Sequence, residues 1–213
     1  MDTSGEWNDY SRLKWGVEHG YLYAYPQELA LYTDPRQKLA VLLTDFYYVT
    51  QRFDEAARMA QRLLRGHAGP LSVRQREYVY FAMGASLERN RDSRAALEAY
   101  EKVLVSGGGT YTWQRAGLAA GKLALRDPDS NVRQKGVRYL NNLAKSGSRA
   151  PPAFEAMVVL GQFMLVNGRM DEGFAVLGSV PKEAGAYKEI ANILIRMYRG
   201  EALDKISDEE AHQ

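Results

Sequence analysis

The side chains able to do proton, metal or phosphate chemistry are few in this sequence and stand far apart. There are three histidines, His19, His67 and His212, and no cysteine. No histidine sits in the His-Glu-x-x-His spacing that puts two imidazoles and a carboxylate on one helix face for zinc. Without thiols there are no disulfides, no thiolate nucleophile and no zinc–thiolate site. Asp127, Asp129 and Asn131 open like a calcium loop. Such a loop then needs glycine at its sixth position and a bidentate glutamate at its twelfth. Val132 and Arg138 stand there instead, so the stretch reads as a turn with an asparagine cap. Gly107-Gly108-Gly109 has neither a preceding strand nor a following Gly-Lys-Ser/Thr, and reads as a linker rather than a phosphate loop. Arginines over 58–65 and 74–76 have glutamates and aspartates nearby in the sequence and lack an aromatic platform for bases, so they read as solvated helix faces. Glu98 and Lys102 are spaced as an i,i+4 ion pair on one such face. No nucleophile, base pair or metal set converges, so an enzyme is disfavoured and no cofactor or metal is expected.

Composition narrows the partners. The formal net charge is +2, with 46% hydrophobic and 25% charged residues. That is an ordinary folded composition, without the field that would argue for nucleic acid or an anionic membrane. No run of eighteen apolar residues suggests a membrane-spanning helix. The first residues lack a basic stretch followed by an apolar core, so no secretory signal is read. The default compartment is cytoplasmic, or periplasmic if a signal has been removed.

The elements that must position any site are helices. Asp34-Pro35 is a helix start, with the aspartate as cap and proline in the first turn. Leu39, Leu42, Leu43, Phe46 and Tyr47 follow at helical spacing. After a turn at Gln51-Arg52, Phe53-Asp54-Glu55-Ala56-Ala57 opens a second helix, ended by Gly66 to Pro70. Ser72 to Ser106 repeats this plan with Tyr80, Met83, Gly84 and Leu87, then Ala96 and Tyr100. Thr110 can cap a third first helix whose face is almost wholly small: Ala116, Gly117, Ala120, Gly121 and Ala124. Residues 148–181 carry Met157, Leu160, Gly161 and Met164, then Gly173 and Leu177. Thr44, Gly84, Gly121 and Gly161 are spaced by 40, 37 and 40 residues, and Ala56, Ala96, Gly136 and Gly173 by 40, 40 and 37. Trp113-x2-Ala116-Gly117 offers a rival register; the Gly121 register keeps the spacing. Trp7, Tyr10, Leu13, Val17 and Tyr21 suggest an amphipathic N-terminal segment, either a cap or a detachable piece that fills a groove. Residues 183–199 read as a final solvating cap helix, and 201–213 as an acidic tail.

These motifs resemble the tetratricopeptide repeat, whose pattern W-x2-L-G-x2-Y followed by A-x3-F is met most fully over 72–106. The resemblance covers about residues 34–181 as four pairs, 34–66, 72–106, 110–146 and 150–181, between an N-terminal segment 1–33 and a capping helix 182–200. It implies an all-α, right-handed α-solenoid of TPR-like helix pairs whose first helices line a concave side. That side would present Lys38, Val41, Asp45 and Tyr48, then Tyr78, Phe81 and Glu88, then Arg115, Leu118 and Lys122, and Gln162. The family's clamp for a chaperone C-terminal carboxylate is not matched: Val41, Asp45, Ala82, Arg115 and Ala119 hold its places, with one base and an opposing acid. The implied function is a non-catalytic scaffold or adaptor that binds a protein or peptide segment in its concave groove and supports a larger complex. A secretion-type chaperone holding an unfolded client, and a periplasmic or membrane-complex assembly factor, are the alternatives. A homo-oligomer stays open, and no nucleic acid is expected.

Overall fold

A computed structural model describes residues 29–106 and 108–200. The expectations for the aromatic segment 1–25, for His19 and His212, and for the acidic tail lie outside these residues. Among the described residues the chain is all-α, with no strand. The helices are α1 Pro35–Val49, α2 Phe53–Leu64, α3 Val73–Arg89, α4 Ser93–Leu104, α5 Tyr111–Ala124, α6 Ser130–Ala144, α7 Pro151–Val166, α8 Met170–Gly178 and α9 Ala186–Arg199, with a 3-10 turn at Lys182–Ala184. The chain divides into two compact units between Ala116 and Gly117.

Side-chain caps decide where most first helices begin. Asp34 accepts from the Arg36 amide at 2.8 Å, with Pro35 at the first helical position. At α3, Ser72 and Gln75 cap each other reciprocally, amide to Oγ at 3.3 Å and amide to Oε1 at 2.7 Å, satisfying two otherwise orphaned donors. Thr110 Oγ1 accepts from the Trp113 amide at 3.0 Å. At α6 the cap is Asp129, which accepts from the Asn131 amide at 2.8 Å. The expected asparagine cap is therefore displaced: Asn131 is already helical, and Asp129 holds the extended backbone that a cap needs.

Three hairpin turns share one closing device. The Arg52, Asp92 and Arg169 amides reach back to the Tyr47, Leu87 and Met164 carbonyls at 2.7, 3.0 and 2.9 Å. Each bond spans a residue with left-handed backbone: Gln51 (φ 61°), Arg91 (φ 64°) and Gly168 (φ 75°). This is the Schellman arrangement, which satisfies carbonyls at the helix end. The second helix then opens with Arg52 donating to Glu55 at 3.0 Å, or Arg169 to Glu172 at 2.7 Å. These hydrogen bonds hold both glutamates below the usual carboxylate range.

In the first unit α1 packs on α2, α2 on α3 and α3 on α4, and α1 also reaches α3. In the second, α6 packs on α7, α7 on α8, and α9 on both α8 and α7. The small residues singled out by their spacing are the points of closest approach. A Cβ on Gly84 would lie 2.7 Å from the Tyr100 ring, one on Gly121 2.5 Å from Leu140, and one on Gly161 2.6 Å from Leu177. Gly121 thus plays the part of Gly84 and Gly161. Ala56 and Ala96 are fully buried. Cβ atoms on Gly136 and Gly173 would meet the Gly121 and Gly161 carbonyl oxygens at 3.0 and 3.1 Å. The last helix departs from expectation. It begins at Ala186 rather than 183 because Gly185 takes φ 56°, ψ −124° after the 3-10 turn, and its exposed side is mixed: Ile190, Ile193 and Met197 are exposed beside Glu189, Asn192 and Arg199.

Candidate functional site

The residues proposed for a first-helix groove prove to be heavily engaged with one another. In the first unit Val41, Asp45, Tyr78 and Phe81 are buried. Tyr78 Oη donates to Asp45 Oδ1 at 2.6 Å and ties α3 to α1. Burial pushes the Tyr78 phenol well above its ordinary range, and the negative Asp45 adds to the shift. The Arg115 guanidinium lies over the Phe81 ring at 4.4 Å, and Phe81 tilts against Tyr100 with centroids 5.9 Å apart. Glu88 accepts from Tyr100 Oη at 2.8 Å; burial first, then Glu88, raises the Tyr100 phenol. Tyr48 is half-buried and edge-on to Phe53 at 5.3 Å, while Lys38 is exposed. In the second unit Lys122 pairs with Glu155 at 2.8 Å, Leu118 is half-buried and Gln162 is exposed. So most of the predicted set contributes struts within each unit, and Lys38 and Gln162 are its exposed members.

A concavity lies on another face of the first unit. Asp54, Ala57, Arg58 and Gln61 of α2 form one wall, and Ala95, Glu98, Ala99 and Lys102 of α4 the other. Tyr80, Met83 and Leu87 of α3 make the floor of a cleft of about 410 Å³. Each set recurs at i, i+3, i+4 or i+7, so each is one stripe of its helix. Alanines keep both walls low, which leaves the three large floor side chains only half-buried. Asn90, the α3 cap, donates to Asp54 at the start of α2, so the end of α3 lies beside the start of α2.

Charges rim this apolar floor. Arg58 is 3.9 Å from Glu55, and Glu98 is 3.6 Å from Arg94. Glu98 therefore pairs one turn back rather than with Lys102, and the Lys102 and Gln61 side chains make no ion pair or hydrogen bond among the described residues. Arg58 and Glu98 sit at the same depth in α2 and α4, with Asp54 towards one end of the cleft and Lys102 towards the other. The surface can hold an apolar ridge flanked by charges of both signs. No reacting group lines it beyond these four charges and the Tyr80 phenol. His67, the described histidine, turns back onto the Arg62 carbonyl at 3.0 Å and caps α2.

Periodicity missed the cleft for a physical reason. Tyr80, Met83 and Leu87 are repeat-pattern positions that read as packing, and Arg58 and Lys102 read as solvated. The available signal was Ala57, Ala95 and Ala99 on the same stripes as those charges, since small side chains there leave the floor uncovered. No helix among the described residues is long and apolar enough to cross a membrane. Set beside protein-family models, curated proteins and solved structures, the chain matches none of them.

Proposed function

We propose that this chain is a non-catalytic helical-hairpin scaffold of tetratricopeptide type that binds a segment of another protein. The observation that carries the reading is the cleft between α2 and α4, with its floor of Tyr80, Met83 and Leu87 open to solvent. An amphipathic helix laid in such a groove hides its own apolar ridge on the floor and meets Arg58, Glu98 and Lys102 with its flanks. Within the first unit, the exposed first-helix residue Lys38 is a second place for contact. Val41, Asp45, Tyr78 and Phe81 would shape such a contact mainly by holding the helices in place.

Affinity purification with the full chain tests the reading. Ala57→Trp and Ala95→Trp fill the cleft from either wall at half-buried positions, so helicity by circular dichroism should survive. Partner proteins retained by the wild type should be lost by both variants and kept by Lys38→Glu. Retention by both tryptophan variants with loss in Lys38→Glu would move the site to the first-helix face. Proteolysis of the retained complex separates an adaptor, whose client resists digestion as a folded domain, from a chaperone, whose client is digested.

A further inference from the structure

The cleft between α2 and α4 has a longer floor, and a more positive end, than its three central side chains suggest. Val73, Arg76, Tyr80, Met83 and Leu87 follow one another along α3 at spacings of three, four, three and four, which is one stripe of a helix. Val73 is 52% exposed, so the track continues past Tyr80 to the start of α3. Because α3 ends beside the start of α2, it begins at the Lys102 end of the cleft. There Arg76 stands one turn before Tyr80, and Arg65 one turn beyond Gln61 on α2. The side chains of Arg65, Arg76 and Lys102 are exposed and make no ion pair or hydrogen bond among the described residues.

From this geometry we infer that the chain's own residues 1–28 occupy the cleft and compete with a partner for it, an inference that rests on the cleft being the binding site. Three observations select that occupant. The first is the place of attachment. The Gln75 side chain, beside Arg76, donates to the Leu31 carbonyl at 2.7 Å, and Tyr32 Oη donates to the Gln75 carbonyl at 3.0 Å. The chain before Leu31 therefore joins the unit at the basic end of the cleft. The second is length. The ridge Trp7, Tyr10, Leu13, Val17 and Tyr21 runs over the same interval as Val73 to Leu87, about 21 Å for a helix rising 1.5 Å per residue. Residues 22–28 reach about 23 Å when extended, enough to lead to either end of the floor. The third is charge. Residues 1–28 hold Asp2, Glu6, Asp9, Glu18 and Glu28 against only Arg12 and Lys14, which complements the cations at that end. The ridge supplies most of the contact, and the tether raises its effective concentration to roughly 1 mM. An affinity of only about 0.1 mM then keeps the cleft filled about ten to one.

The chain has no cysteine, so Met83→Cys in the full chain puts a single thiol on the floor. Its alkylation by iodoacetamide should run about tenfold faster once Trp7→Ala, Tyr10→Ala and Val17→Ala are added, with helicity by circular dichroism kept. Lys102→Glu, which alters neither the ridge nor the reporter, should speed it about threefold. Ala57→Cys on the α2 wall is a second reporter and should show the same ratios. A synthetic peptide of residues 1–28 at about 1 mM should return the triple variant to the slow rate. Rates that ignore the triple substitution at both reporters overturn the inference, as does a peptide that gives no protection. A rate unmoved by Lys102→Glu overturns the part given to charge. A rate that slows as protein rises from roughly 1 to 200 μM assigns the cover to a second copy and overturns the intramolecular arrangement. Partner capture by Ala57→Trp and Ala95→Trp judges the cleft itself, so the binding site can stand where this inference fails.

Discussion

At the scale of single residues, backbone conformation separates positions that look alike in the sequence. Gln51, Arg91 and Gly168 occupy one site in three hairpin turns, and only the last has no Cβ to crowd its neighbouring carbonyl. Gln51→Gly and Arg91→Gly are each expected to raise stability by about 0.5–1 kcal/mol, despite the extra freedom glycine has when unfolded. Urea midpoints with unchanged slopes would measure it. The buried tyrosines make a pH prediction. Tyr78 and Tyr100 have phenols raised above their ordinary value by burial and by Asp45 and Glu88. The folded state therefore favours the protonated form, so its stability is fully present below about pH 10 and lost as pH rises above it. Urea titrations from pH 8 to 11 should show that fall, and Tyr100→Phe should flatten it. Tyr78→Phe is expected to cost about 1–3 kcal/mol at neutral pH, because it takes a donor from buried Asp45. The turn positions were legible in the sequence from Gln51-Arg52 and Gly168-Arg169. The tyrosine–carboxylate bonds were not, since Asp45 and Tyr78 lie 33 residues apart.

At the scale of elements, each hairpin is held at a point where a missing side chain admits a large one. Gly84→Ala or Gly161→Ala drives a methyl group into the Tyr100 ring or Leu177. The helix-propensity gain of about 1 kcal/mol should lose to overpacking, for a net loss of about 1–3 kcal/mol. Gly178 is the control: it is helical, exposed, and has nothing within 4 Å of its hypothetical Cβ. Gly178→Ala should gain up to about 1 kcal/mol. Thermal melts of the three variants would check the contrast in sign. These contact points were readable beforehand because identical packing recurs and leaves glycine and alanine at a regular interval. The cap of α6 and the start of α9 were not, because each turned on the conformation of one residue, Asp129 or Gly185.

At the scale of the molecule, the proposed binding in the cleft would rest on apolar contact more than on charge. The net charge is +2, and the cleft's rim balances Asp54 and Glu98 against Arg58 and Lys102. Binding there should change less than about threefold between 0.1 and 0.5 M salt, because screened rim charges contribute little beside burial of the floor. Titration calorimetry on a captured partner would measure it. A steep salt dependence would instead indicate an electrostatically driven ligand.

The amino-acid order alone determined that this chain is helical, where most helices start and stop, and which small residues mark helix contacts. Caps, turn residues and a 3.6-residue period are local, so a reader of the sequence sees them directly. Which apolar side chains end up covered is a different matter. Phe81 and Met83 stand two residues apart on α3, yet Phe81 is buried under Arg115 and Tyr100 while Met83 lies on an open floor. Only tertiary packing decided that, because exposure depends on what a distant helix places overhead, and alanine at 57, 95 and 99 places almost nothing there.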